Sequence, residues 1–237
     1  SVYAINDFLA QGWDGSNNEI DLVTKTVEPR GDEKELAEIT DLIGSYTTNF
    51  ASSSAGRAKN VITGVSKVDG TILYPGEEFD LAKTVSPFTQ ENGYELAGAY
   101  QNGTVVESFG GGICQVATTL YNAVIRAELE ITMRFNHSML VHYVEPSMDA
   151  AIAGNYKDLK FKNNLDAPVY IEGYCSGGII YFNVYGKETR PSNREISFES
   201  ETVSKTDPKV QFTMDASLTA GSVSVTQSGQ SGCIAQL

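Results

Sequence analysis

Three consecutive glycines, 110–112, lead through Ile113 into Cys114 and then into a run of residues with helical spacing. Apolar residues recur there every three or four positions, which predicts an amphipathic helix that begins at Cys114 and ends near Ala127. The first amides of a helix lack intrahelical acceptors and its dipole is positive at that end, so a cysteine placed there favours the thiolate. The stretch therefore indicates a nucleophile, although a cysteine that only fills core space fits the same pattern.

The composition is that of a globular chain with an acidic surface. The 237 residues carry a net charge of -13, and hydrophobic residues make up 41% of them. Because no basic run could neutralise phosphates, we expect no nucleic acid partner. No stretch approaches the roughly 20 apolar residues of a membrane span, and none has the pattern of a signal peptide.

The cysteines and histidines are too few and too scattered for a disulfide framework or a zinc site. Of the three cysteines, Cys175 and Cys233 are the pair left to form a bridge, and the sequence does not decide whether they do. No CxxC or HxxxH spacing occurs, so we expect neither a metal nor another cofactor.

The remaining pattern predicts an α+β fold, with an antiparallel sheet packed against the Cys114 helix. A helix is expected over 33–43 and another over 57–67, whereas 83–109 looks rich in loops with a short strand at Val105-Val106. Strands are expected at 46–50, 130–135 and 139–144, and two β-prone runs joined by Ser176-Gly177-Gly178 form the clearest hairpin.

The two ends of the chain differ from its centre. Residues 1–30 resemble the tail of a preceding domain, 31–190 form the main domain, and the composition becomes polar after Gly186. We expect 191–237 to be a small β-rich appendage with short strands at 196–198 and 210–212.

A cysteine nucleophile needs a base and a residue that orients the base. His137 is the predicted base because it is polar inside an apolar run, whereas His142, on an alternating strand, would face the other side. Asp149 is the predicted orienter and Asp158 the alternative. The order of cysteine on a helix, then histidine and aspartate on a sheet, is similar to papain-like and transglutaminase-like layouts.

Other polar residues and glycines around the helix are candidate substrate contacts. The Gln115 side chain or its backbone N–H is a candidate oxyanion donor, and structural roles are the alternative for each of these residues. The candidate contacts are Gly111, Gly112, Gln115, Thr119, Tyr121, Asn122 and Tyr94.

Together these stretches resemble the VanW family over about residues 45–186. The chain departs from the family pattern at Ala117-Thr118, where two serines are usual, and at Glu128 and Ser147, where glycine is usual. The matching motifs are Arg57-x-x-Asn60, Gly70-x-x-x-x-Pro75-Gly76-Glu77-x-Phe79, Glu91-Asn92-Gly93-Tyr94, Gly110 to Gln115, Thr119 to Ala123, Leu129-Glu130-Ile131, His137-Ser138, Tyr143-Val144, Asp149-Ala150-Ala151 and Asp158 to Asn164.

The resemblance implies a bacterial, extracytoplasmic protein of the cell envelope, in a family named after an accessory gene of vancomycin-resistance clusters. It also implies a peptidoglycan-binding domain before the main domain and a G-five module after it, of which 1–30 and 191–237 would be remnants. The expected partner is peptidoglycan or its stem peptides.

Three functions are compatible with these observations. The first is a cysteine-dependent acyl transferase or amidase/peptidase, with Cys114 as nucleophile, His137 as base and acid, and Asp149 as orienter. The second is a peptidoglycan-binding module in which Cys114 is a packing residue. The third is a structural surface stalk.

Overall fold

The computed structural model describes residues 6, 9–10, 30–101, 104–154, 156–226 and 228–237, without the side chains of 100, 101, 104 and 105. The chain forms two compact units, 1–34 and 35–237, and the second contains the elements that position the site. The expected tail of a preceding domain in 1–30 falls almost wholly outside the described residues. The domain boundaries at 30 and 190 stay predictions.

The fold is α+β, as expected, with antiparallel sheets and few helices. The helices are α1 (Glu33–Leu36), α2 (Ala55–Val68), α3 (Leu81–Val85) and α4 (Ile113–Arg126). The strands are β1 (Asp41–Asn49), β2 (Thr71–Leu73), β3 (Glu78–Asp80), β4 (Leu96–Gln101), β5 (Thr104–Phe109), β6 (Glu130–Met133), β7 (Lys160–Lys162), β8 (Val169–Ser176), β9 (Ile179–Gly186), β10 (Glu201–Thr206) and β11 (Gly232–Gln236).

A four-stranded sheet in the order β1-β9-β8-β2 supports the central helix. All its neighbours are antiparallel, and β8 and β9 form the predicted hairpin around Gly177-Gly178. Helix α4 packs on β1 and β9 while α2 packs on β8, so the core lies between the sheet and these two helices. A second sheet, β3-β7-β6, adds Phe79 and Phe161 to this core. The pairs β4-β5 and β10-β11 are separate ribbons.

Gly44 lets β1 approach α4 closely. It lies beside a bulge in the pairing of β1 with β9, and a Cβ atom on it would be 2.5 Å from both the Ala123 carbonyl oxygen and the Ala127 nitrogen. The sequence assigned Gly44 to the end of a helix over 33–43. That helix instead ends at Leu36, because pairing with β9 draws Leu42 and Ile43 into β1.

Helix α4 ends sharply although no glycine follows it. Glu128 has a φ of 57°, its N–H bonds to the Ile125 carbonyl, and the Leu129 N–H bonds to the Val124 carbonyl, which is the Schellman pattern. Ser147 also has a positive φ, of 73°. Both residues stand where the family pattern has glycine, so the backbone keeps its left-handed conformation despite the side chains.

Three other expectations from the sequence are wrong. The region 83–109 contains a ribbon, β4-β5, rather than mainly loops, although the short strand expected at Val105-Val106 lies within β5 and is confirmed. The stretch 139–144 forms no strand, although exposed and half-buried residues alternate over most of it. Alternation shows which side chains meet solvent, but it does not show whether the backbone has a partner strand. Residues 196–198 and 210–212 are not strands; β10 and β11 pair instead.

All three thiols are unpaired, so Cys175 and Cys233 form no bridge. Burial raises the pKa of the Cys175 thiol to about 11. Among the residues that the structure describes, no helix has both the length and the apolar character needed to cross a membrane.

The close approach at Gly44 gives a test of this packing. We expect Gly44→Ala to lower the free energy of unfolding by about 3 kcal/mol, because the added methyl would overlap the backbone of α4. Gly232→Ala is the matched control, since a Cβ atom there would lie 3.6 Å from its nearest neighbour, and it should change the stability by less than about 0.5 kcal/mol. Urea unfolding measures both, and equal stability of the two variants would contradict the packing.

Candidate active site

Cys114 is the second residue of α4, which begins one residue earlier than expected. Gly112 caps the helix with a φ of 112°, and the Cys114 side chain is half-buried. The N–H groups of Ile113 and Gln115 donate to the carbonyls of Gly110 and Gly112. In the described part of the chain, the Cys114 N–H between them has no backbone acceptor, so it is available to an oxygen atom beside the sulfur.

Gly111 and Gly112 are glycines because other parts of the chain contact them. A Cβ atom on Gly111 would lie 2.7 Å from the Ala97 carbonyl oxygen of β4. One on Gly112 would lie 3.1 Å from Cγ of Arg57, on a backbone conformation that side chains disfavour. Buried Asn60 fixes this approach, since its Nδ2 donates to the Gly111 carbonyl at 3.0 Å.

One face of α4 is joined to the segment 148–152 by hydrogen bonds at a regular interval. Thr118 Oγ1 donates to the Ala150 carbonyl at 3.1 Å and accepts from the Ala150 N–H at 2.9 Å. Asn122 Nδ2 donates to the Met148 carbonyl at 2.7 Å, and Cys114 Sγ lies 3.4 Å from both the nitrogen and the oxygen of Ile152.

The intervals match because four helical residues rise about 6 Å and two extended residues span about 6.6 Å. Helix positions 114, 118 and 122 therefore meet alternate residues of the segment, which runs antiparallel to the helix. The residues on either side of Asp149 contact the helix. The Asp149 side chain instead contacts His137, which lies outside this segment.

His137 is held by Asp149 at two points. Asp149 Oδ2 accepts from the His137 backbone N–H at 2.7 Å and lies 2.6 Å from Nδ1 of the ring. Arg134 holds the carboxylate from the other side: its guanidinium lies 3.1 Å from Oδ1 and donates to the carbonyls of Asp149 and Ser147. The His137 side chain is 7% exposed and that of Asp149 9%, so the pair is buried.

The imidazole of His137 also lies near enough to Cys114 for the thiol to act on the pKa of the ring. Because Asp149 occupies Nδ1, Nε2 is the nitrogen left for the sulfur. Burial alone would lower the pKa of His137, but hydrogen bonds and charge from Asp149 and Cys114 outweigh it and raise this pKa to about 9. Burial opposes ionisation of Asp149, yet its bonds to His137 and the nearby Arg134 lower the pKa of this carboxyl.

The structure thus brings together Cys114, His137 and Asp149 but leaves Asp158 apart. Asp158 Oδ1 accepts from the backbone N–H groups of Ala82 and Leu159, at the start of α3. Burial and the neighbouring Asp80 raise the pKa of Asp158. His142 is exposed, in contrast to His137.

Several predicted contacts are instead interior residues, which corrects the expectation that their side chains meet a ligand. Tyr94 is fully buried and its hydroxyl donates to the Val85 carbonyl at 2.6 Å, and burial raises its pKa to about 12. Thr119 is buried against Thr48. Asn122 is buried and bonds the Met148 carbonyl as described above, while Tyr121 is half-buried beneath the Arg134 guanidinium, 5.3 Å from its ring centre.

Gln115 is also committed internally. Its Nε2 donates to Thr48 Oγ1 at 3.0 Å and to the Asn49 carbonyl at 2.9 Å, while its Oε1 accepts from Arg57. Its backbone N–H bonds the Gly112 carbonyl. Neither group is free to act as an oxyanion donor.

Sequence reasoning did not assign roles to four residues at this site: Arg57, Asn60, Thr118 and Arg134. For Arg57, Asn60 and Thr118, the sequence signal that could have indicated a role was a polar side chain on a helix face that also carries core residues. Thr118 and Asn122 follow Cys114 at intervals of four, and Arg57 and Asn60 are three apart, so each set shares one face.

Two cavities in the described part of the chain lie away from Cys114. The larger, of about 380 Å³, adjoins the C-terminal end of α4 and is lined by Arg126, Arg190 and Arg194 among others. Arg190 and Arg194 pair with Glu188 and Glu128. Within the described ranges, no three His, Cys, Asp or Glu side chains are grouped so that they could hold a metal ion.

The raised pKa of His137 predicts a pH-dependent stability. Because the folded value of about 9 exceeds the unperturbed value of about 6.5, the stabilisation is fully present below pH 6.5 and is lost as the pH rises through 9. We expect the difference in unfolding free energy between the wild type and His137→Gln to shrink by about 3 kcal/mol from pH 6 to pH 10.

Urea unfolding under reducing conditions at several pH values measures this difference. His142→Gln, at the exposed histidine of the same segment, is the matched control and should show no such change. A difference for His137→Gln that stays constant or grows with pH would contradict the charged, bonded state of the imidazole.

Comparison with known proteins identifies the family of the chain. The chain is 33% identical to the uncharacterized protein YoaR of Bacillus subtilis over 182 residues, which cover 76% of this chain and 60% of YoaR. It is 26% identical to the Vancomycin B-type resistance protein VanW of Enterococcus faecalis over 118 residues, 47% of this chain and 42% of that protein. No solved structure matches the chain.

The chain therefore spans less than two thirds of the length of these two relatives. A sequence model described as VanW like protein matches residues 56–185, more than half of the chain and the whole region from α2 to β9 that holds Cys114, His137 and Asp149. On this match the chain belongs to the VanW-like family.

Proposed function

We propose that this chain is a cysteine-dependent acyl transferase or amidase/peptidase that acts on peptidoglycan peptides in the bacterial cell envelope. One observation carries the proposal: a single buried imidazole is bonded to the carboxylate of Asp149 and lies near enough to Cys114 for the thiol to raise its pKa. This is the arrangement of nucleophile, base and orienter that acyl transfer requires.

In the first step Cys114 Sγ attacks the carbonyl carbon of a peptide or amide and forms a carbon–sulfur bond. The oxyanion that develops is stabilised by the Cys114 N–H and the positive end of α4. Because the pKa of His137 is about 9, the imidazole carries a proton at neutral pH and can give it to the departing amine as the carbon–nitrogen bond breaks.

In the second step water or another amine attacks the thioester. His137, now neutral, takes the proton of the incoming nucleophile, the carbon–sulfur bond breaks and the Cys114 thiolate is restored. Asp149 keeps the ring oriented through both steps and stabilises its cationic form. Whether water or an amine enters decides between hydrolysis and transfer.

The setting of the proposal comes from the relatives. One of them carries the name of a vancomycin resistance protein, which supports a role at the cell wall outside the cytoplasm. Stem peptides of peptidoglycan contain the amide bonds that the proposed chemistry would act on.

A binding module is the second candidate, and one observation favours it. Cys114 Sγ contacts both the N–H and the carbonyl of Ile152, so the thiol has partners inside the protein without a substrate. In that case the sulfur helps to fasten the segment 148–152 to α4, and the site holds a wall peptide without reacting.

Thiol alkylation separates the two candidates. At pH 7 an ordinary cysteine is only a few per cent thiolate, whereas a protonated imidazole beside the sulfur favours the thiolate. We expect iodoacetamide to alkylate Cys114 more slowly in His137→Ala than in the wild type, on the order of tenfold. Cys175 and Cys233 are replaced by serine in every variant, so that only Cys114 reports.

His142→Ala is the matched control, because it removes an exposed histidine from the same segment and should leave the rate unchanged. A Cys114 thiol that reacts only after unfolding, with no effect of His137, would sink the enzyme proposal and leave the binding module.

A further inference from the structure

Arg57 lies against the residues on both sides of Cys114. On one side, its Cγ and its carbonyl oxygen would lie 3.1 and 3.3 Å from a Cβ atom on Gly112. On the other, its Nη2 donates to Oε1 of Gln115 at 2.8 Å. Half-buried Arg57 is therefore in contact with Gly112 and Gln115, which lie two residues before and one residue after the nucleophile.

The charge of Arg57 is not matched by a carboxylate. In the described part of the chain Arg57 forms no ion pair and bonds the neutral side chains of Ser53 and Gln115. A guanidinium has five N–H donors, and these two bonds use two of them.

Tyr143 lies within electrostatic range of both Arg57 and Cys114. Burial raises the pKa of Tyr143, the charge of Cys114 raises it further, and Arg57 acts in the opposite direction. The phenol is therefore near enough to both side chains for their charges to act on its pKa.

We propose that Arg57 binds a carboxylate of the substrate next to the bond that Cys114 attacks, and so selects peptides with a free carboxylate beside the scissile amide. The inference rests on the proposed function, since it names the substrate class of the same site. A planar guanidinium with free donors suits a carboxylate, which accepts two parallel hydrogen bonds.

Two alkylating agents of nearly equal size test this selection. Iodoacetate carries a carboxylate and iodoacetamide a neutral amide, and both react with Cys114 in the variant that lacks Cys175 and Cys233. We expect the ratio of the iodoacetate rate to the iodoacetamide rate to fall roughly fivefold in Arg57→Gln, the size of a close charge pair near water. Arg57→Lys, which keeps the charge, should retain most of the ratio.

Lys59→Gln is the matched control, because it removes one positive charge from the same helix at an exposed position paired with Glu95. It should leave the ratio unchanged. Added salt should lower the iodoacetate rate of the wild type more than that of Arg57→Gln, which gives a second measurement within folded protein.

Two results would overturn the inference while leaving the proposed function intact. One is a rate ratio that Arg57→Gln does not change although His137→Ala still slows alkylation. The other is an equal loss of both rates in Arg57→Gln, which would mean that Arg57 only holds Gln115 in place. By contrast, a Cys114 thiol that is unreactive in every variant and indifferent to His137 would remove the proposed function itself.

Discussion

The fit between one face of α4 and the segment 148–152 is the constraint on which the site depends. Helix residues four apart meet segment residues two apart, because the rise of four helical residues nearly equals the span of two extended ones. Thr118 and Asn122 make this contact through buried hydrogen bonds, which would be costly to leave unmade. A slip of one residue would break them and turn Asp149 towards the helix instead of His137.

Charge within the site is arranged around one buried carboxylate. Asp149 is bonded by His137 and Arg134, so its charge is compensated and its position is fixed from two sides. The same carboxylate helps to keep His137 protonated although the ring is buried. Arg57 makes no described contact with this network and bonds Ser53 and Gln115; in our proposal it also binds the carboxylate of the substrate.

Much of the fold could be predicted from the sequence, because its strongest local patterns determine the main secondary structure elements. The α+β class, the central helix and the β8-β9 hairpin follow from periodicity and turn residues. The polarity of His137 inside an apolar run put it ahead of His142, whereas Asp149 and Asp158 both stayed open as its orienter. The selection of His137 used a strand over 139–144 that does not exist, although His142 is exposed as that reasoning required.

The failures have a common physical origin. Tyr94, Gln115, Thr119 and Asn122 were treated as surface contacts because they are polar, but each is buried with its hydrogen bonds satisfied inside the protein. Which polar groups find internal partners depends on contacts distant in sequence, such as that of Gln115 with Thr48, and local pattern does not contain them. The backbone conformations of Glu128 and Ser147 also depend on distant contacts. Both residues have a positive φ that their side chains disfavour, and the surrounding structure maintains it.

The central claim is that one imidazole is shared by Cys114 and Asp149, and its titration tests this most directly. Nuclear magnetic resonance of the His137 ring should give a midpoint near pH 9 in the wild type and a lower one in Cys114→Ala, because the thiol contributes to the raised pKa. A ring that titrates near its ordinary value of about 6.5 in both proteins would contradict the account.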